Sequence, residues 1–426
     1  MMQVLGTSWA LLLGLMLLML GNGLQGTLLG VRGEIEGFST FQMSLVMSAY
    51  FAGFLGGSRL APEMIRRVGH VRVFAALASF ISAVLILYPA YTAPWAWTVE
   101  RMIIGFCFSG VYVTAESWLN NSATNETRGQ ALALYMFVQV IGIMAAQGIL
   151  LLGDPAGFVL FIVPSVLVSI SFAPILLSVS PTPAFASTKP MSLVALYRAS
   201  PLSIVGVFLI GGAYSAQFGM AAVFGAKAGL TLPQISLFIS MFYVGAVITL
   251  YPLGWLSDRV DRRVLIALES AIGGAGALLG LMFGGSYVAL LISALIVGGM
   301  TNPLYSLLLA YLNDYLDSEQ MAAGSSGMLF VNGLGSIGGP LVTGWVMTAT
   351  GSGGFFTFIA ALLFLMALYA IYRMTRRKAA VPVDETGPFA PILMSSTPVA
   401  VEAAQEWAQD SVEDATNDDT QDVTTR

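Results

Sequence analysis

The chain is poor in the residues that soluble chemistry relies on. Its 426 residues include one cysteine and one histidine, and Asp, Glu, Lys and Arg together make up only 10%. A lone thiol, Cys107, excludes an internal disulfide. With His70 as the single imidazole there is no HExxH, no CxxC and no His/Cys cluster for zinc. A GxSxG elbow and a GxxxxGK[ST] phosphate loop are also absent. The chain is therefore expected to hold no metal, to carry no cofactor and to have no catalytic constellation, so it does not read as an enzyme. So few charges, against roughly a quarter in soluble domains, also exclude a nucleic-acid binder and a wholly disordered chain. Apolar residues are what the chain has in abundance: 57% are hydrophobic and the mean hydropathy is +0.81.

The formal net charge of -5 is the sum of two unlike parts. Residues Ala379–Arg426 hold ten acids and one base, a charge of -9, which leaves +4 on residues 1–378. A bilayer core needs about 20 apolar residues per helix, and twelve such segments are present. They are Trp9–Leu29, Gln42–Leu60, Val73–Tyr91, Trp97–Leu119, Gln130–Leu152 and Phe158–Leu177, then Leu202–Phe224, Pro233–Leu256, Val264–Phe283, Tyr287–Leu309, Ala322–Val346 and Phe355–Tyr372. The runs are too long and too uniform for barrel strands. The first lacks a basic leader and a small-residue cleavage site, so it is expected to be retained.

Lys and Arg set the orientation. With both termini cytoplasmic, the inner loops hold thirteen bases, from Arg66 and Arg67 to Arg377 and Lys378, against only Arg32 and Lys227 outside. Four parts follow: a six-helix bundle over 1–178, a Pro-containing cytoplasmic linker over 179–201, a second bundle over 202–378 and an acidic tail over 379–426. The tail composition predicts disorder, with helical tendency around Val401–Val412.

The halves repeat. A shift of about 192 places Gln42 on Gln234, Ser44 on Ser236 and Gly53 on Gly245; a shift of 193 places Tyr112 on Tyr305, Asn120 on Asn313 and Gly142 on Gly335. Accidental apolar matches would pair Leu and Gly but not Gln, Asn and Tyr. Because six is even, the repeats run parallel about an axis along the membrane normal.

Gly254-Trp-Leu-Ser-Asp258-Arg259-Val-Asp261-Arg262-Arg263 resembles the G-x-L-[SA]-D-R-x-G-R-[RK] signature of the major facilitator superfamily, with Asp261 in place of the second glycine. Arg101-Met-Ile-Ile-Gly105 resembles that superfamily's R-x-x-x-G signature, and Arg67–Ser79 resembles the YcaD-like bacterial subgroup. The resemblance implies an all-α membrane fold of two six-helix bundles. It also implies that Gly254, Asp258, Arg259, Arg262 and Arg263 form a conformational latch of the outward-facing form. The first-half counterpart is degenerate: Pro62 replaces glycine and Arg66 replaces aspartate, so Glu63, with Arg67, is the substitute latch. His70 is expected to be a loop residue.

Ionisable groups within a bilayer are costly and mark function. Arg101 has no counterpart in the second half, where Ala294 takes its place. It shares a face with Phe108 and Tyr112 and is expected at outer-leaflet depth. The resemblance implies that the first and fourth helices of each half line a central cavity, and so that Asn22, Gln25, Arg101, Tyr112, Tyr214, Gln217, Asn302 and Tyr305 surround a substrate path. Glu100, Arg101 and Glu116 are the proton-coupling candidates. Gln139, Gln147 and Asn332 place the fifth and eleventh helices together between the halves. The expected protein is a monomeric secondary transporter of the bacterial inner membrane, moving a small molecule by alternating access. The alternatives are a proton-coupled efflux pump for amphipathic compounds and a transporter-like receptor that moves nothing.

Overall fold

The computed structural model describes residues 2–122, 125–174, 191–376, 389–392, 396–397 and 399–407. Among them there is no strand. The first half comprises α1 (Met2–Ile35), α2 (Thr40–Val68), α3 (His70–Ala90), α4 (Pro94–Ser122), α5 (Asn125–Leu150) and α6 (Val159–Ser171). A short α7 (Leu193–Ala199) precedes the second half. That half contains α8 (Pro201–Lys227), α9 (Leu232–Ser257), α10 (Arg262–Met282), α11 (Tyr287–Asn313), α12 (Ser318–Thr350) and α13 (Gly354–Arg376). Ten of these helices are long and apolar enough to cross a membrane. The other two of the twelve expected segments are α2 and α6. The first is diluted by Arg59, Glu63, Arg66 and Arg67 near its end. The described part of α6 is 13 residues long, and the rest of its expected span, like most of the linker, lies outside the described residues. Helices satisfy every backbone group internally, which a bilayer demands.

The repeat is built into matching local chemistry. Ser39 caps α2: its backbone N–H donates to Gln42 Oε1 at 2.8 Å while its hydroxyl accepts from Gln42 N at 3.2 Å. Thr231 does the same at α9, its N–H donating to Gln234 Oε1 at 2.9 Å. The Gln42/Gln234 pair is thus a capping box, not a transport feature.

Packing repeats too. α2 lies along α4, and α9 along α11. At Gly53 an added Cβ would collide with the Met102 carbonyl, and at Gly245 with that of Leu295. From the opposite helices, Gly105 presses on the Tyr50 carbonyl and Gly298 on that of Phe242. Small residues let membrane helices approach backbone to backbone, where dispersion replaces the absent hydrophobic drive.

Contacts between the halves run α2 to α12, α1 to α8 and α5 to α9. The expected meeting of the fifth and eleventh helices is corrected: α5 faces α9, and α12 faces α2. On the face away from the tail the halves touch directly, with Lys227 Nζ 2.5 Å from Glu34 and Gly344 against Ser44. On the tail face the two halves are bridged by described tail residues. In its described part the tail carries a helix where the sequence predicts helical tendency around Val401–Val412, and it is buried beyond what its composition suggests. Residues 399–407 are helical, and Ile392, Val401, Ala403 and Ala404 are buried. Their apolar side chains find a groove between the halves, which composition cannot reveal.

Gly53→Val should destabilise the fold by about 1–3 kcal/mol through overpacking, read as a lower melting temperature in detergent. Gly148→Ala, where a Cβ meets nothing within 4 Å, should leave it unchanged.

Candidate substrate pathway

Two adjoining cavities lie between the halves. The larger encloses about 760 Å³ and is lined by Asn22, Tyr50, Phe54, Tyr112, Tyr214, Phe218 and Asn332, with Ser396 and Thr397 of the tail at one end. The other, about 540 Å³, shares Asn22, Tyr214 and Phe218 and adds Gln147, Gln217, Tyr243 and Asn302. Among the described residues no charged side chain lines either one. Tyr214 stacks on Phe218 with rings 6.2 Å apart and 16° from parallel, and Phe218 lies 5.7 Å from Tyr50. The walls therefore offer flat apolar faces between amides and hydroxyls.

Behind this wall a polar chain runs through the first half. Asn22 Nδ2 donates to the Tyr112 hydroxyl at 2.7 Å, Gln25 Nε2 donates to Asn22 Oδ1 at 3.0 Å, and Arg101 donates to Gln25 Oε1. The guanidinium lies 4.7 Å above the Tyr50 ring, a cation–π contact. The close crossing of α2 and α4 produces this, since Gly105, one turn beyond Arg101, rests on the Tyr50 backbone. Arg101 is fully buried, its Nε has no partner, and it forms no ion pair among the described residues. It does not reach toward the membrane surface. It stands behind the wall at Gly26, where a Cβ would lie 3.8 Å from its terminal nitrogen, and Gly26 lines the second cavity.

The second half carries no such charge. Gln217 pairs with Thr301 at 3.1 Å, and Asn302 donates to the Gly298 carbonyl at 2.9 Å. Of the eight path residues, Asn22, Tyr112, Tyr214, Gln217 and Asn302 line the cavities, whereas Gln25, Arg101 and Tyr305 do not. Tyr305 is buried with its hydroxyl unpartnered. Sequence reasoning missed Tyr50, Phe54 and Tyr243 because it looked to the first and fourth helices of each half, and these residues lie on α2 and α9. The available signal was Gly53 and Gly245, which mark the faces that cross.

Glu100 is buried, with Oε2 lacking a partner, and lines neither cavity. Glu116 is also buried. It accepts from the Tyr135 hydroxyl and from Thr397, through its hydroxyl and through its N–H at 3.2 Å.

The latch residues divide into two groups. Arg262 is buried at the start of α10 and pairs with Asp314 at 2.6 Å, 3.7 Å from Asp258, while donating to the Ala310 carbonyl at 3.1 Å. Arg259 folds back over Trp255 at 4.2 Å, and Arg263 holds Asp261 at 2.5 Å, which lowers that carboxyl from its usual range. The Phe389 ring covers Gly254. The repeat places His70 where Arg262 stands. His70 is not a loop residue: it is buried as the first residue of α3, with Nε2 3.0 Å from Ser117, the counterpart of Ala310. An imidazole–hydroxyl contact thus stands at the position of the ion pair. Glu63 accepts from Arg66 at 2.8 Å and Arg67 at 2.6 Å on the surface, and Arg66 above all holds its carboxyl down at about 2.

Two parallel six-helix bundles around an uncharged central cavity define a membrane transporter. Comparison agrees. A family model described as "Major Facilitator Superfamily" matches residues 203–403, and one described as "Sugar (and other) transporter" matches residues 4–189. Each half of the chain is thus similar to a transporter family model, the second half to that of the major facilitator superfamily. Among its relatives are proteins named "Uncharacterized MFS-type transporter YcaD" from Escherichia fergusonii (24% identity) and Salmonella arizonae (25%), each matched over 84% of this chain and 93% of its own length. The crystal structure of the nucleoside transporter NupG superposes with a TM-score of 0.70 at 17% identity, covering 86% of this chain and all of NupG. The human organic anion transporter MFSD10 superposes at 0.61 and 14%, covering 85% of this chain and 98% of its own.

Gln25→Leu leaves a buried guanidinium without its oxygen acceptor and should cost about 1.5–3 kcal/mol. Gln25→Glu, which supplies a counter-charge, should restore stability; thermal unfolding in detergent reads both. The depressed Glu63 carboxyl keeps its pairs charged above its folded value, so they should survive acidification through the ordinary glutamate range. They should open only near pH 2, read as a chemical-shift change of a labelled Glu63 carboxyl.

Proposed function

We propose that the chain is a secondary transporter of the bacterial inner membrane, with both termini cytoplasmic, that moves a small, uncharged, polar solute with a flat face. The observation that carries this is the central cavity. Its amides and hydroxyls alternate with rings, and it sits between halves that touch along the α2–α12 seam and, away from the tail, through Lys227 and Glu34. The excess of bases in the loops of the tail face supports the orientation. Contact on the opposite face supports an inward-facing state of a rocker-switch cycle, in which the halves tilt about the α2–α12 and α1–α8 seams. Substrate biases the cycle only by binding one state better than the other. The second half holds its helix ends through the Arg262–Asp314 pair, which supports a latch role there; His70–Ser117 is the weaker first-half device.

An uncharged cavity favours a neutral cargo over the anion that Arg101 alone suggests. The flat ring pair Tyr214–Phe218 suits a planar group, and the fold neighbour NupG carries nucleosides. The same rings also suit the amphipathic cargo of an efflux pump, for which Glu100, Arg101 and Glu116 are the proton-coupling candidates.

A thermal-shift screen of the purified protein against pools of neutral solutes tests the reading. A ligand at a hundred times its Kd adds about 2.7 kcal/mol. The expected result is stabilisation by a neutral polar solute, which then accumulates in proteoliposomes. Asn22→Ala and Gln217→Ala should weaken that binding at least tenfold. Arg101→Ala should abolish transport while the protein stays folded in the membrane. Stabilisation by cationic amphiphiles alone, with Glu116→Gln blocking their movement, would favour the efflux reading instead.

A further inference from the structure

The described tail residues 389–392, 396–397 and 399–407 are absent from both the repeat and the transport cavity as read from sequence, yet they touch each half. On the second half, Phe389 covers Gly254 and its N–H donates to Asp258 Oδ1 at 3.2 Å. The Ser306 hydroxyl holds Ile392 at both backbone groups, accepting from its N–H at 2.9 Å and donating to its carbonyl at 3.1 Å. Ser325 donates to Gln405 at 2.8 Å. On the first half, Glu116 takes the Thr397 N–H and hydroxyl, Arg128 pairs with Glu406 at 2.9 Å, and the Trp407 ring packs on Gly129. Between these anchors Val401 is wholly buried and Ile392 is 3% exposed.

We propose that the tail-face vestibule is a binding site for this chain's own residues 389–392, 396–397 and 399–407, a segment that acts as a plug. It competes with the cytoplasmic exit of the central cavity and tethers the two halves to each other on that face. Three features support this. Ser396 and Thr397 form part of the cavity wall itself, so the segment occupies space that a departing solute must cross. Its anchors lie on both bodies that the rocker-switch cycle brings together, so the inner face cannot close while the segment is seated. Every group around Glu116 named here is a donor, and a buried carboxylate without those donors is costly. Glu116 therefore serves as the receptor for a backbone N–H and a hydroxyl. The seat on Gly254 and Asp258 also places the plug on the signature loop, where it holds Asp258 from one side while Arg262 lies on the other.

The restraint on the cycle rests on the alternating-access reading above, whereas the docking does not. Both are tested by thiol labelling of the full-length protein in a Cys107→Ser background. Ser58→Cys, on the cavity wall, is labelled with an impermeant maleimide in inverted vesicles, and Thr27→Cys, in the second cavity, from the opposite face in intact cells. Each is compared with the same protein lacking residues 377–426 and with the full-length double variant Phe389→Ala, Thr397→Ala, which alters no membrane helix. Removing or loosening the plug should speed Ser58→Cys labelling several-fold and raise Thr27→Cys labelling in parallel. Equal Ser58→Cys rates in all three proteins overturn the plug. If truncation impairs folding, as judged by gel filtration, the double variant decides alone. Faster Ser58→Cys labelling with Thr27→Cys unlabelled in every protein establishes docking and overturns alternation together with its restraint.

Discussion

The backbone contact of α2 with α4, and its copy between α9 and α11, is the constraint from which the rest of this structure follows. In a bilayer, helices gain little from hydrophobicity and must associate by close packing. Gly53 and Gly105 remove the side chains that would keep two backbones apart, and Gly245 and Gly298 do so again. That approach sets Tyr50 beneath Arg101, which in turn fixes Gln25, Asn22 and Tyr112 as one chain of hydrogen bonds. The cavity wall is the exposed edge of that chain.

A buried arginine without a carboxylate is costly, and the protein offsets the cost with a ring face and an amide oxygen. This keeps the charge out of the cavity while leaving its field just behind it. At the matching place in the second half Ala294 stands for Arg101, and there Gln217 and Thr301 satisfy each other. The two halves are therefore alike in backbone and unlike in electrostatics, which gives an otherwise symmetric cavity two chemically distinct sides.

The signature loops show the same division. Arg262 and Asp314 form a buried pair at one pseudo-symmetric position, and His70 with Ser117 fills the other. The degenerate first-half motif leaves no gap at that position, where the imidazole meets a hydroxyl instead of a carboxylate. The tail adds a third asymmetric element, since its anchors include residues of both halves, Glu116 and Arg128 on one side and Ser306 and Ser325 on the other.

Much of the architecture was legible beforehand. Long apolar runs, the bias of Arg and Lys among loops and the 192–193 register all follow from local composition, and periodicity survives wherever backbone geometry repeats. The pairs Gln42/Gln234 and Gly53/Gly245 were visible as pairs, and only their reasons, capping and crossing, needed the tertiary structure. Asn22, Tyr112, Tyr214, Gln217 and Asn302 could be expected at the central cavity because the family resemblance implies that the first and fourth helices of each half line it. Tyr50 and Tyr243 could not, because which face of α2 or α9 points inward depends on the crossing partner. Nor could the surroundings of Arg101, the depth of His70 or the seat of the described tail residues. Sequence alone determined a two-bundle membrane protein with one unmatched arginine and an acidic tail, since those are properties of segments. Only the tertiary structure decided what the arginine faces and where the tail lies, because both depend on contacts between groups far apart in the chain.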